Sequence, residues 1–143
     1  MRHPKAYSAL LVFTLGMLLL LSACQRAPDL AGSDWTLVSL YQDPLIPQTT
    51  ITAEFVVGPW VIEGSAGCNS YQAVYGRDGA QIIVGEILVG DDFCEQPEGI
   101  MEQEEIYLDA LMEMRRYQIE AGQLQMLDAQ EIAILIYDLL DVQ

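Results

Sequence analysis

Gly64-Ser65-Ala66-Gly67-Cys68-Asn69-Ser70-Tyr71 sets two glycines and a cysteine between two strand-like runs. A turn of this kind needs tight backbone geometry, which glycine adopts at the least steric cost. Gly64 and Gly67 are expected to shape it, and Asn69 to hold it through its side chain. A second cysteine, Cys94, follows 26 positions later. Most of the chain beyond residue 30 reads as walls built around this turn and that partner.

The walls are mostly short strands. Asp34 to Tyr41 is rich in β-branched and aromatic residues, and Asp43-Pro44 through Pro47-Gln48 breaks it. Thr49 to Val57 alternates apolar and polar side chains, Gly58-Pro59 turns the chain, and Trp60 to Glu63 leads into the featured turn. Tyr71 to Tyr75 follows, then a hairpin signal at Gly76-Arg77-Asp78-Gly79. Ala80 to Val84 and Glu86 to Val89 read as two strands punctuated by Gly85 and Gly90. One helix is expected, from about Glu98 to Arg116. Its apolar face holds Ile100, Met101, Tyr107, Leu108, Leu111 and Met114, and Arg115-Arg116 suits its last turn. Tyr117 to Glu120, Leu124 to Leu127 and Ile132 to Leu140 complete the series. The fold class is α+β and mainly β: a small antiparallel, barrel-like sheet of about eight strands with one packed helix.

The N-terminus is of another kind. Arg2 and Lys5 precede a run of 13 residues, Ala9 to Leu21, apolar but for Thr14, with Ser22-Ala23 after it. This is the order of a secretory signal, and the run is short of the ~18–20 residues that span a bilayer. Leu21-Ser22-Ala23-Cys24 resembles the bacterial lipobox, in which the cysteine is acylated and becomes the first residue of the mature chain. The expected organisation is a signal peptide over 1–23, a tether over 24–31 and one domain over 32–143. Gln25 after the cysteine, rather than Asp, suits transfer to an outer membrane where the cell has one. The whole chain carries 6 − 21 = −15 charges, and from Cys24 onward 4 − 21 = −17. That balance argues against nucleic acid and anionic lipid as partners.

His3 is the sole histidine, and no lysine follows Lys5. Catalysis by Ser-His, Cys-His or lysine, and His-based zinc sites, therefore have no residues after Cys24. Glu63, Asp91, Asp92 and Glu95 are the candidate carboxylates for glycoside hydrolysis, and Asp91-Asp92 with Glu95 for calcium. A solvated acidic loop is the simpler account of the last three, and no metal, cofactor or catalytic residue is assigned. Cys68 and Cys94, an even pair in an exported chain, read as a disulfide, with free buried thiols as the alternative. Glu104 falls inside the helix's apolar stripe, where a bare carboxylate costs several kcal/mol. It is expected to accept backbone N–H bonds from the Gly-Cys-Asn turn or from the segment near Cys94. A general acid is the competing role. Trp35, Trp60, Tyr71 and Tyr75 are either core and rim aromatics or the lining of a ligand pocket.

From Leu30 to Leu140 the sequence resembles the META domain, or HslJ-like, family often found on bacterial envelope lipoproteins. The resemblance lies in Leu30-Ala-Gly-Ser-Asp-Trp35-Thr-Leu37, the Gly-Cys-Asn turn, Cys94 before a helix, Glu104-Glu-Ile-Tyr-Leu-Asp-Ala-Leu111, Tyr117-Gln-Ile119 and Leu124-Gln-Met126. Gly90-Asp91-Asp92-Phe93 before Cys94 departs from the family's usual Thr and Met-Ala. The family implies a small mixed β-barrel with one helix and roles in envelope stress, drug tolerance or secretion, without an established enzymatic activity. The function expected is thus a membrane-anchored, monomeric envelope lipoprotein, acylated at Cys24 and facing away from the cytoplasm. Its domain is expected to be a non-enzymatic module that binds a protein or small molecule. A structural or stress-protective envelope protein is the alternative, and a carboxylate-based hydrolase a remote one.

Overall fold

A computed structural model describes residues 30–140, so the expected signal peptide, Cys24 and the expected tether as far as residue 29 lie outside the described residues. Strands β1 (Asp34–Leu40), β2 (Asp43–Pro44), β3 (Thr52–Phe55), β4 (Val61–Ser65), β5 (Ser70–Asp78) and β6 (Gln81–Val89) come first. The helix α1 (Ile100–Glu113) follows, then β7 (Arg116–Glu120), β8 (Gln123–Leu127) and β9 (Ala133–Leu139). Every pairing is antiparallel. The sheet runs β1-β3-β4-β5-β6-β7-β8-β9 and returns to β1, with β2 folded back on the end of β1. The ring is thin at one place, where β6 and β7 share the single pair Gln81↔Arg116. Beyond it the two strands part, and α1 packs against β6.

Side chains that alternate along the strands fill the ring. Trp35, Phe55, Ile62, Ile82, Leu124, Met126 and Tyr137 are fully buried. A shift in register between Leu37 and Ser39 moves the inward set by one residue, which is how Leu37 and Leu40 both reach the core. A second shift, between Ala73 and Tyr75 on β5, makes Gly85-Glu86 a bulge within one long β6. The two strands expected there are one. Asp43-Pro44, expected only as a breaker, forms a two-residue strand. The packed domain also begins before residue 32, because Leu30 of the expected tether is only 1% exposed and belongs to the core.

The helix is shorter than expected at both ends. Gly99, at φ 85°, precedes its first turn, and Met114 leaves it in an extended conformation. Arg116 therefore opens β7 instead of closing the helix. Arg115 still serves the helix end, since its Nη1 donates to the carbonyls of Met112 and Met114 at 2.8 Å each. Ile100, Tyr107 and Leu111 point into the core with Gln103 and Glu104 among them.

Three buried phenols cross the core in one line. Tyr137 donates to Tyr107 at 3.1 Å, Tyr107 and Tyr71 share a 2.7 Å bond, and Tyr71 donates to the Thr52 carbonyl at 3.1 Å. Read as a chain of single donations, each hydroxyl gives one proton and the last ends on the backbone, so none is orphaned. Burial pushes all three phenols above the ordinary tyrosine range.

Candidate functional site

Glu104 and the Gly-Cys-Asn turn form one hydrogen-bonded unit. Glu104, 5% exposed, accepts through Oε2 from the backbone N–H of Cys68 at 3.1 Å and of Asn69 at 2.7 Å. Its Oε1 accepts from Asn69 Nδ2 at 2.8 Å. With both oxygens engaged by donors, the carboxylate acts as a clamp on the turn.

Asn69 does something the sequence did not reveal. Its side chain reaches across to the segment before Cys94, accepting from Asp92 N–H at 2.9 Å and donating to the Asp92 carbonyl at 3.0 Å. This copies the two bonds of a strand pair. Gly67 sits at φ 119°, which suits glycine. At Gly64 a Cβ would collide with the Thr52 carbonyl oxygen, so β3 and β4 approach this closely only over a glycine. Cys68 and Cys94 are joined as a disulfide with their Cα atoms 5.9 Å apart. Gln103, also missed, is the second buried polar residue of the helix; it accepts from Ile46 N–H at 2.7 Å and donates to Thr49 Oγ1 at 3.0 Å.

A groove of about 740 Å³ begins beside this unit and crosses the outside of the sheet. It follows one cross-strand row. Asp34 on β1 faces Glu54 on β3, Glu54 faces Glu63 on β4, Glu63 faces Gln72 on β5, and Gln72 faces Leu88 on β6. Val89 and Leu140, both exposed, add apolar surface, and Gly64 and Ala53 also border the groove. Three carboxylates thus stand side by side on neighbouring strands. Gln72 donates to Glu63 at 3.1 Å, and among the described residues no salt bridge is formed by Asp34, Glu54 or Glu63. Like charges directly opposite one another cost a sheet stability.

The other residues singled out from the sequence are dispersed. Asp91, Asp92 and Glu95 are exposed, and among the described residues no three metal-ligating side chains gather closely enough to hold an ion. Trp35, Tyr71 and Tyr75 are buried, whereas Trp60 is half exposed at the β3–β4 turn. Trp35 and Tyr71 border the groove while Trp60 and Tyr75 lie away from it, so the four aromatics do not line one pocket. Tyr41, at the far end of β1, donates to Glu113 at 2.8 Å; partial burial and that carboxylate push its phenol up to about 12.

Among the described residues, a closed antiparallel sheet with one helix, whose buried carboxylate clamps a disulfide-linked Gly-Cys-Asn turn, defines a small mainly-β domain of the α+β class. The chain belongs to the META domain family, whose sequence model matches residues 28–137. The fold is similar to the NMR structure of a protein from Burkholderia xenovorans, at 19% identity and a TM-score of 0.63, covering 100% of this chain and 99% of that one. A second NMR structure is similar at 19% identity and a TM-score of 0.59, covering 76% of this chain and 89% of the other. No curated protein matches the chain.

Proposed function

We propose that this META-domain protein is a non-enzymatic binding module of the bacterial cell envelope, held to the membrane through an acylated Cys24. The observation that carries the binding role is the row Asp34–Glu54–Glu63 along the groove. The fold gains nothing from three opposed carboxylates and loses stability by keeping them, a cost typical of a site kept for a ligand. With Leu88, Val89 and Leu140 beside the acids, the ligand that fits is cationic and partly apolar, such as an extended segment carrying Arg or Lys. Glu104, whose oxygens are committed to the turn, supports a structural role for that carboxylate over general acid catalysis.

Two measurements test the reading. Full-length protein titrated calorimetrically with two peptides of equal length and apolar content is expected to bind the Arg-bearing one, less tightly as salt rises. It is expected to ignore the Glu-bearing one. Glu54→Gln with Glu63→Gln is expected to weaken the cationic peptide about tenfold, or ~1.4 kcal/mol, while leaving thermal stability equal or higher. Equal binding of both peptides overturns the proposed selectivity. Separately, Cys24→Ala is expected to move the protein from the membrane to the soluble fraction, because each lipid methylene contributes ~0.8 kcal/mol. Retention in the membrane overturns the anchor.

A further inference from the structure

We infer that the β3–β4 turn, Val57-Gly58-Pro59-Trp60, is a second membrane contact that rests on a zwitterionic lipid surface beside the anchored N-terminus; the inference builds on the acylation of Cys24 proposed above. Val57 is 73% exposed and Trp60 49%, and no residue from Phe55 to Ile62 is charged. Its burial at a lipid surface therefore strips water from no charged side chain of its own.

Its position decides the partner. The Gly32 N–H donates to the Phe55 carbonyl at 2.6 Å, and a Cβ on Gly32 would fall 2.9 Å from Val57 Cγ2. The tip therefore lies against the place where the chain joins the domain. From Cys24 to Leu30 there are six peptide steps, which reach at most about 20 Å even when fully extended. A domain of this size is roughly 30 Å across. An acyl group on Cys24 thus cannot let the domain turn its far side to the membrane, and the side bearing Gly32 and Val57 is held nearest to the lipid.

The tip is also built for an interface. Trp60 adopts φ 53°, costly for a bulky residue, and the ring packs edge-on to Tyr75 with centroids 5.6 Å apart. The Arg77 guanidinium carbon lies 5.8 Å from the centre of the same ring, and Arg77 Nη1 donates to Tyr117 at 3.1 Å. An indole with a cation beside it suits the boundary between acyl chains and phosphate headgroups, where tryptophan is enriched.

The test uses the mature protein, beginning at acylated Cys24 and reconstituted in phosphatidylcholine vesicles containing brominated lipid. Trp35 is 0% exposed and serves as the internal reference. The protein is expected to float with the vesicles and to lose most of its Trp60 emission when bromine is near the glycerol end of the acyl chain. Bromine near the methyl end is expected to quench less, as fits a depth of about 5–10 Å. Trp60→Phe, which keeps an aromatic ring against Tyr75, is expected to leave only unquenched Trp35. Flotation without quenching overturns the tip contact and leaves the anchor intact, whereas failure to float overturns both. Shielding of Trp60 from aqueous iodide without lipid quenching assigns the tip to a protein or a second copy, and also overturns the inference. Quenching that survives Trp60→Phe does the same.

Discussion

Glu104→Gln is expected to destabilise the domain by roughly 3 kcal/mol, the scale of a buried hydrogen-bond set on a charged acceptor. Thermal unfolding would show this as a fall in Tm of about 15 °C for a domain of this size. The substitution keeps the shape and removes an acceptor. Glu104 receives three donors, two on Oε2 and one on Oε1. A glutamine must present its NH₂ group to at least one of them. Asn69 cannot turn its amide over to compensate, because both ends of that amide are engaged by the Asp92 backbone. An unchanged Tm in the variant overturns the clamp, and with loss of function it would point to chemistry at Glu104.

Removing the disulfide is the other large effect. Cys68→Ser with Cys94→Ser opens a loop whose ends are 26 residues apart, and chain entropy puts the loss at roughly 3–4 kcal/mol. Denaturant titration of the double variant against the parent measures it, and a loss under ~1 kcal/mol would mean that the segment around Cys94 is held by its other bonds. Those bonds are the Asn69–Asp92 pair and the contact from Cys94 N–H to Met101 Sδ at 3.4 Å. Because the disulfide and Glu104 hold the same turn, the two losses should not add. In the disulfide-free background, Glu104→Gln is expected to cost less than it does in the parent.

Some of this architecture is written locally and some is not. The helix shows in its apolar stripe, and Glu104 shows because its angle on that stripe is wrong for a solvated carboxylate. Gln103 sits one residue earlier, at the stripe's margin. Its burial depends on Ile46 and Thr49, which come from a distant loop. The helix end is misleading in the sequence because Arg115-Arg116 has the right charge for a last turn, while Met114 is already extended toward the next strand. Gly85 reads as punctuation between two strands but is half of a bulge, a distinction made by the partner strand. The acidic groove is the least legible feature. Asp34, Glu54 and Glu63 are unremarkable singly, and only the register of three separate strands sets them side by side. Asn69 is similar, since its bonds to Asp92 depend on where the later segment returns.

The closure of β1 on β9 has a consequence for the order in which the molecule takes shape. Trp35 pairs with Leu139, 104 positions later, so the first strand waits for the last before the ring exists. A chain emerging N-terminus first makes β3, β4, β5 and β6 by neighbouring hairpins while one edge of β1 stays bare. High contact order of this kind slows folding and leaves strand edges exposed meanwhile. Completion therefore coincides with the arrival of the C-terminal strand, and a chain truncated before β9 has no way to seal the edge that β1 presents.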